Sequence, residues 1–383
     1  MEQYDVAVVG LGVLGSGAAY YAARKGAKVI AFEQFELGHV HGASHDTSRI
    51  VRTSNAAPEY VALAKSAYKD WADLEKVSGR KLLTITGGLV FFPQDSPNPT
   101  LVADFTRSLD RNAVPYELLG PQQVKNRWPQ FDVPDNVDAV FTADTGIAHA
   151  ARTVSTLQSL AQTCGAVLKE HTRVDRITPS PSGASVIQTS KGQFLAAKVI
   201  VATDAWTNQL LAPLGVHIPL SVMQEQVTYF KPDDSERFDL AKFPVWIWHG
   251  HDCFYGFPCY GEPTIKAARD TSNNFMSPGQ RTYVHSPQLL EQLSSFLKGF
   301  IPDSKRQPLR TVTCQYSITP DRQFVISPLE DHPEIIVSLG AAHAFKFAPA
   351  FGRVLAELAV DGHTAEDISK WGIPQTATRV TKL

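Results

Sequence analysis

Cysteine is scarce in this chain of 383 residues, which contains only Cys164, Cys253, Cys259 and Cys314. Their spacings match no zinc-binding pattern, and thiols so few and so far apart do not form a disulfide framework. We therefore expect a cytoplasmic, reducing environment and no metal site. From composition alone all four cysteines are interpreted as buried thiols.

Charge of one sign is not in excess either, because 36 Lys and Arg residues face 38 Asp and Glu residues, a formal net charge of −2. The sequence has no basic run that would follow a nucleic-acid backbone or an acidic membrane surface. It also has no apolar run long enough to cross a bilayer, and its first residues do not resemble a signal peptide. We expect neither nucleic acid nor a membrane as a partner.

The C-terminal tripeptide Thr381-Lys382-Leu383 approximates the Ser-Lys-Leu peroxisomal address, with Thr in place of Ser. A peroxisomal location therefore stays open as an alternative to the cytoplasm.

The apolar pattern predicts that the chain opens with a strand, helix, strand unit. Asp5–Val9 and Lys28–Phe32 are apolar runs typical of strands, and Val13–Lys25 between them is an Ala-rich helix pattern. Two parallel strands joined in this way require a right-handed crossover, as in a nucleotide-binding sheet. The same alternation returns between residues 151 and 202.

Further elements are predicted by periodicity and by Pro and Gly punctuation. Residues 219–315 carry short aromatic-rich strands between polar loops, which indicates a separate and largely antiparallel sheet. The predicted strands are Val227–Phe230, Val245–His249 and Cys253–Phe257. The remaining predictions are helices over 60–76 and 348–362, strands over 87–92 and 335–337, and a helical, polar region over 98–127 with loops at the joints Pro115, Pro121, Pro129 and Pro134.

A glycine-rich turn joins the first strand to the first helix. Gly10 permits the tight turn, Gly12 lets the backbone approach a pyrophosphate, and Gly15 allows close packing of helix on strand. Val13 and Leu14 begin the helix, whose N-terminal N–H groups favour phosphate. The pattern predicts dinucleotide binding.

An acidic residue ends the second predicted strand. Glu33 follows Gly15 by 18 residues, where a carboxylate accepts hydrogen bonds from a ribose diol and disfavours the 2′-phosphate of NADP. These residues alone do not distinguish FAD from NAD.

Four further stretches resemble the monomeric sarcosine oxidase family, which includes N-methyltryptophan, pipecolate and fructosyl-amino-acid oxidases. Together with the opening unit, the resemblance covers nearly the whole chain. The stretches are Gly42–Arg52, Val201–Trp206, Thr313–Tyr316 and His343–Phe347.

The resemblance implies a mixed α/β (α+β) fold in which a Rossmann-like FAD-binding domain is interleaved with a substrate domain built on a mainly antiparallel sheet. The implied FAD-binding segments are 1–85, 145–215 and 316–383, and the substrate-binding segments are 86–144 and 216–315. It further implies a monomeric oxidase of a small secondary amino acid, of the sarcosine or pipecolate type. Such an enzyme passes hydride to FAD, releases an imine that hydrolyses, and reduces O2 to H2O2.

The same resemblance implies the cofactor site. Its FAD is attached covalently to a cysteine, and the matching residue here is Cys314, whose sulfur is a suitable nucleophile. The matching FAD-binding residues are Gly10, Gly12, Val13, Leu14, Gly15, Glu33, Ser44, Ser48, Arg49, Val174, Trp206, Cys314, Ala344 and Lys346.

Catalytic and substrate-binding residues are also implied. Lys266 matches a lysine that helps oxygen accept electrons, because a fixed cation stabilises the developing anion, and Arg49 lies beside the flavin. Arg52 and Lys346 match cations that bind the substrate carboxylate, and a helical segment would place Arg49 and Arg52 on one face. Tyr255 and Tyr316 match aromatic residues that face the substrate, although both positions also suit simple packing.

Two residues depart from the family pattern. Asp270 stands where sarcosine oxidases have histidine, which favours a more cationic or polyhydroxylated substrate and places Asp270 in the substrate site. Asp204 stands where glycine is usual. The alternatives left open are a fructosyl-amino-acid oxidase, an FAD dehydrogenase with a separate electron acceptor, and a flavoprotein that only binds.

Overall fold

The computed structural model describes residues 2–97, 100–180, 183–304 and 308–374, so the C-terminal tripeptide lies outside the described residues. Its strands are β1 (Gln3–Val9), β2 (Val29–Phe32), β3 (Arg49–Val51), β4 (Leu83–Ile85), β5 (Gly88–Pro93), β6 (Glu117–Leu119), β7 (Val137–Thr142), β8 (Gly146–Ala148), β9 (Val167–Lys169), β10 (Val174–Pro179), β11 (Ser185–Thr189), β12 (Gly192–Val201), β13 (Ser221–Phe230), β14 (Val245–His249), β15 (Cys253–Phe257), β16 (Ile265–Asp270), β17 (Pro308–Ile318), β18 (Val325–Pro328) and β19 (Ile335–Leu339). Its α-helices are α1 (Val13–Arg24), α2 (Pro58–Ser78), α3 (Val102–Arg111), α4 (Pro121–Arg127), α5 (Ala150–Thr163), α6 (Thr207–Leu211), α7 (Pro287–Phe300) and α8 (Ala348–Val360).

The first sheet has a parallel centre in the order β9-β2-β1-β12-β19. Residues 6–9 of β1 and all of β2 are apolar and buried because both faces of the sheet are covered there, as is usual in parallel sheets. Strands β10, β11 and β18 extend it in antiparallel pairing. The predicted opening unit is confirmed, with its parallel strands β1 and β2 joined by α1.

The second sheet runs in the order β17-β13-β16-β15-β14-β5-β7-β6. Its neighbours are antiparallel except for the parallel pair β14 and β5. The mixed α/β class with a mainly antiparallel second sheet is therefore confirmed. The proposed two-domain division stays a prediction, and its boundary at residue 315 falls inside β17.

A third, small sheet pairs β3 with β8 and β8 with β4. Arg49 begins strand β3 and Arg52 follows its end, so this segment is not helical. The helical geometry that would have placed Arg49 and Arg52 on one face is therefore absent from this segment. Side chains three residues apart on a strand project to opposite sides, unlike those on a helix.

The helical packing rests on a close approach between α1 and α8. A Cβ atom on Gly352 of α8 would lie 2.6 Å from the carbonyl carbon of Gly17 in α1. Only glycine fits both positions, and the backbone of α8 therefore lies directly against the helix that follows the glycine turn. This contact fixes the direction of the α1 N-terminus.

One further expectation holds in part and another was wrong. The predicted helical region 98–127 contains α3 and α4, which are separated between the predicted joints Pro115 and Pro121, but the strand β6 between them was not predicted; Asn98 itself lies outside the described residues. Of the four cysteines only Cys314 is buried, while Cys164 is exposed and the other two are half-buried. Within the described ranges, no helix combines the length and apolarity that a membrane span requires.

Candidate active site

A cavity of about 470 Å³ extends from the glycine turn of the first sheet to strands β15, β16 and β17 of the second. This volume is in the range of small-molecule and cofactor sites. Every site residue predicted from the sequence lines this cavity except Gly15. The two sheets thus bring together residues that are up to 336 positions apart, from Gly10 to Lys346.

The glycine turn has the backbone that its sequence predicts. Gly10 has a φ of +91°, and a Cβ atom there would lie 2.5 Å from the carbonyl oxygen of Ala202. A Cβ atom on Gly15 would lie 1.9 Å from the carbonyl oxygen of Gly10, so Gly15 acts by allowing helix to meet strand. Gly12 needs its small size because its Cβ would lie 3.2 Å from the Ser44 hydroxyl.

Glu33 lies beside this turn and is buried. Its carboxylate accepts hydrogen bonds from the backbone N–H of Leu11 at 2.9 Å and of Phe35 at 3.2 Å. Burial raises its pKa, but hydrogen bonds from His39 and from these two N–H groups outweigh burial and lower the pKa below its ordinary value. Glu33 is therefore an anionic acceptor placed at the end of β2.

The loop from Gly38 to Ser48 covers one side of the cavity, and we call it the covering loop. The Ser44 hydroxyl accepts a hydrogen bond from the N–H of Val13 at 3.0 Å, which ties the loop to the start of α1. The Arg49 guanidinium donates to the carbonyl oxygens of Ala43 and Ser48. Arg281, which sequence reasoning missed, donates to the carbonyl oxygens of Val40 and His41 and thereby fixes the loop to β17 through Thr313.

Cys314 lies on β17 opposite Glu225 of β13, with its side chain at the cavity wall. Burial raises the pKa of its thiol to about 11, and the nearby cations Arg49, Arg281 and Lys266 act in the opposite direction. The thiol is thus neutral, because burial and the neighbouring Glu225 carboxylate outweigh the three cations.

Lys266 on β16 is 3% exposed and forms an ion pair with Asp46, Nζ to Oδ2 being 2.6 Å. Its ammonium also donates to the carbonyl oxygen and hydroxyl of Ser48, each at 3.1 Å. Burial lowers the pKa of Lys266 to about 8, and the Asp46 carboxylate opposes this effect. The sequence did not single out Asp46.

Two cations lie at the far end of the cavity. Arg52 has a buried Nη1 without a hydrogen-bond partner among the described residues, and burial lowers its pKa to about 10. Lys346 is 8% exposed and donates to the carbonyl oxygen of His343. Burial, followed by repulsion from Arg52 and Arg322, holds the pKa of Lys346 well below its ordinary range. Cations under such strain favour binding of an anion.

Asp270 lies at the end of β16 and forms a two-pronged ion pair with Arg322, at 3.1 and 3.4 Å. Arg322, with a φ of +56°, is another cavity residue that the sequence analysis missed. Tyr255 and Tyr316 also line the cavity, and burial raises the pKa of both phenols far above the ordinary value. Their hydroxyls therefore remain protonated donors.

Asp204 follows β12 with a φ of +47°, which explains why glycine suits this position. Its side chain is buried, and Oδ2 has no hydrogen-bond partner in the described part of the chain. Burial raises the pKa of Asp204 to about 6, and the nearby Ser317 hydroxyl opposes this effect.

These residues fit an FAD molecule. The glycine turn and Glu33 offer a site for a pyrophosphate and a ribose at one end, and Cys314 and Lys266 lie further along the same cavity. Among the described residues no group of three or more His, Cys, Asp or Glu side chains is arranged to hold a metal ion.

Comparison with known proteins gives the family. The model of the FAD dependent oxidoreductase family matches residues 5–358. Monomeric sarcosine oxidase of Bacillus sp. (strain B-0618) is 31% identical over 381 residues, covering 98% of this chain and 97% of that protein. N-methyl-L-tryptophan oxidase of Yersinia pestis (strain Pestoides F) is 30% identical over 376 residues, covering 97% and 98%.

Among solved structures, NikD, an unusual amino acid oxidase essential for nikkomycin biosynthesis, is similar with a TM-score of 0.86 and 28% identity. The match covers 97% of this chain and 98% of NikD. The sequence match and the structural match agree over nearly the full length. The chain therefore belongs to the FAD-dependent oxidoreductase family and is a flavoprotein oxidoreductase of the sarcosine oxidase type.

Proposed function

We propose that this enzyme oxidises a small secondary amino acid, of the sarcosine or pipecolate type, with O2 as the electron acceptor. The observation that carries the proposal is the placement of two buried cations, Arg52 with an unpartnered Nη1 and Lys346 bonded only to uncharged atoms of His343 among the described residues, in the cavity that also holds Cys314 and Lys266. When bound, FAD supplies the acceptor for hydride from the carbon next to nitrogen. The overall reaction converts amine and O2 into imine and H2O2, and water then hydrolyses the imine.

The cations bind and orient the substrate. A carboxylate accepts two parallel hydrogen bonds from the Arg52 guanidinium, and Lys346 adds a second positive charge. Fixing the acid in this way positions the adjacent carbon for hydride transfer, which depends on correct geometry. Because the substrate carboxylate pairs with buried charges, its binding also removes an electrostatic cost of the fold.

An acidic side chain lines the proposed substrate site. The Asp270 carboxylate, held by Arg322, contributes a negative charge at the cavity wall. A neutral secondary amine is the form that releases hydride, and its N–H can donate to such a carboxylate. This arrangement also supports the alternative of a polyhydroxylated, fructosyl-amino-acid substrate.

We further propose that Cys314 holds FAD through a covalent thioether and that Lys266 promotes electron transfer to O2. Both side chains line the cavity, and both are buried, as a water-poor reaction site requires. Dioxygen takes two electrons and two protons to give H2O2. A fixed ammonium stabilises negative charge that develops on oxygen.

The relatives named monomeric sarcosine oxidase support a monomer, and four cysteines outside disulfides support a cytoplasmic location.

The experiment is a peroxide screen with purified holoenzyme across sarcosine, pipecolate, proline, N-methyltryptophan and fructosyl-valine. Peroxide release with an N-methyl or cyclic amino acid supports the proposal, and release only with fructosyl-valine supports the fructosyl alternative. If an amino acid bleaches the flavin without peroxide formation, the enzyme is a dehydrogenase with another electron acceptor.

A further inference from the structure

The Lys266 ammonium has all of its hydrogen-bonding capacity used by one short segment of the chain. Its three acceptors are the Asp46 carboxylate, the Ser48 carbonyl oxygen and the Ser48 hydroxyl. An ammonium has three N–H donors, so these contacts fix both its position and its direction. Among the described residues, Asp46 is the carboxylate in direct contact with Lys266.

Asp46 is itself held in an unusual conformation. Its φ of +78° lies in the left-handed region, which costs free energy for a residue with a Cβ atom. Its Oδ1 accepts a hydrogen bond from the Tyr229 hydroxyl at 2.6 Å, and that hydroxyl also lies 3.0 Å from the Thr47 hydroxyl. One carboxylate oxygen is thus fixed by β13 and the other by Lys266.

Burial would otherwise work against a charged lysine here. The Lys266 side chain is 3% exposed, and burial favours the neutral amine over an ammonium that has no anionic partner. The Arg49 cation adds repulsion.

Several other titratable groups surround the Asp46–Lys266 ion pair, but none supplies Lys266 with a second negative partner. The Cys314 thiol is neutral, and the Glu262 carboxylate is paired with Arg310. The groups are Arg49 of β3, Tyr229 of β13, Cys314 of β17, His45 in the covering loop, His149 before α5, and Glu262 with Arg310.

We propose that Asp46 is a positioning residue that keeps the Lys266 ammonium charged and directed along the covering loop, and thereby sets the pH range in which reduced FAD reacts with O2. This inference rests on the proposed function of Lys266. Asp46 acts through Lys266 and does not need to touch substrate or oxygen.

The test uses holoenzyme whose flavin is photoreduced without O2, with EDTA as the electron donor, so that no amino acid is needed, and measures the rate of flavin reoxidation by O2 against pH. In the unaltered enzyme the rate should fall as pH rises through the Lys266 pKa of about 8. In Asp46→Asn this fall should move to lower pH by roughly one to three units, the usual effect of losing an adjacent opposite charge. At pH values well above the shifted midpoint its rate should approach that of Lys266→Met.

Two variants keep the test interpretable. Glu262→Gln removes a nearby carboxylate that does not contact Lys266, and its profile should match the unaltered enzyme. Tyr229→Phe removes one hydrogen bond to Asp46 and should shift the pH profile in the same direction as Asp46→Asn, but by less. This variant provides the test if Asp46→Asn does not fold. An unshifted profile in both Asp46→Asn and Tyr229→Phe overturns the inference.

A second readout does not depend on oxygen. The midpoints of thermal unfolding of Asp46→Asn, Lys266→Met and the double variant should be non-additive, because each single change leaves a buried group unpaired. Additive losses would show that no ion pair exists and would overturn the inference. Failure of the peroxide screen, by contrast, would remove the proposed substrate while leaving both of these measurements unaffected.

Discussion

Replacing Arg52 with Met should weaken substrate binding without weakening the fold. The Arg52 Nη1 is buried and has no hydrogen-bond partner within the described ranges, so the amino-acid-free enzyme gains little from this cation. Truncating one member of a buried charged pair costs about 2 to 5 kcal/mol of binding, which corresponds to roughly a 30-fold to several-thousand-fold loss. The loss should fall on kcat/KM, with a large increase in KM.

The assay is steady-state peroxide release over a range of amino acid concentrations, together with thermal unfolding of each variant without amino acid. Arg269→Met is the matched control, because Arg269 lies on β16 next to the cavity residue Asp270, but its guanidinium pairs with Asp252 and neither residue lines the cavity. Its KM should be nearly unchanged. A drop of several degrees in the unfolding midpoint of Arg52→Met with an unchanged KM would show that Arg52 is a structural residue.

Three further predictions concern the cofactor link, the helix contact and pH. Acid precipitation should leave a yellow polypeptide in the unaltered enzyme and a colourless one in Cys314→Ala; two colourless pellets would refute the thioether. Gly352→Ala should lower the free energy of unfolding by about 1 to 3 kcal/mol, because the added methyl group meets the backbone of Gly17. Gly299→Ala is the control, because the space around its Cβ is open and its stability should not change. Equal urea midpoints for the two variants would refute the close contact. Burial, then Arg49 and Arg281, lower the pKa of His45 to about 3, so the unfolded chain binds a proton that the native one rejects as pH falls below about 6.5. His45 should therefore lower the free energy of unfolding by about 2 kcal/mol at pH 5. In urea unfolding, His45→Gln should lose correspondingly less stability than the unaltered enzyme between neutral pH and pH 5. Equal losses in the two proteins would refute the lowered pKa of His45.

The opening half of the cofactor site was predictable because its signals are local. Gly10 and Gly15 each answer a steric demand that the structure confirms, the predicted role of Gly12 toward a pyrophosphate stays a prediction, and the apolar runs at residues 6–9 and 29–32 are continuous. The strands Val245–His249 and Cys253–Phe257 were predicted with their observed bounds for the same reason.

The residues that the sequence analysis missed act through long-range contacts. Asp46 meets Lys266 across 220 positions, and Arg281 meets the covering loop across about 240. No spacing rule reveals such pairs, although an Asp in a glycine- and histidine-rich loop was a weak signal. Arg322 was overlooked because an exposed-looking turn arginine gives no hint of its partner Asp270.

The simplest decisive measurement is the visible spectrum of the purified holoenzyme after anaerobic addition of a secondary amino acid. The flavin absorption should bleach, and admitted air should restore it with formation of about one H2O2 per amine oxidised. A chain that carries FAD but keeps its spectrum with sarcosine, pipecolate, proline and N-methyltryptophan alike would show that the cations at Arg52 and Lys346 do not present these acids to the flavin.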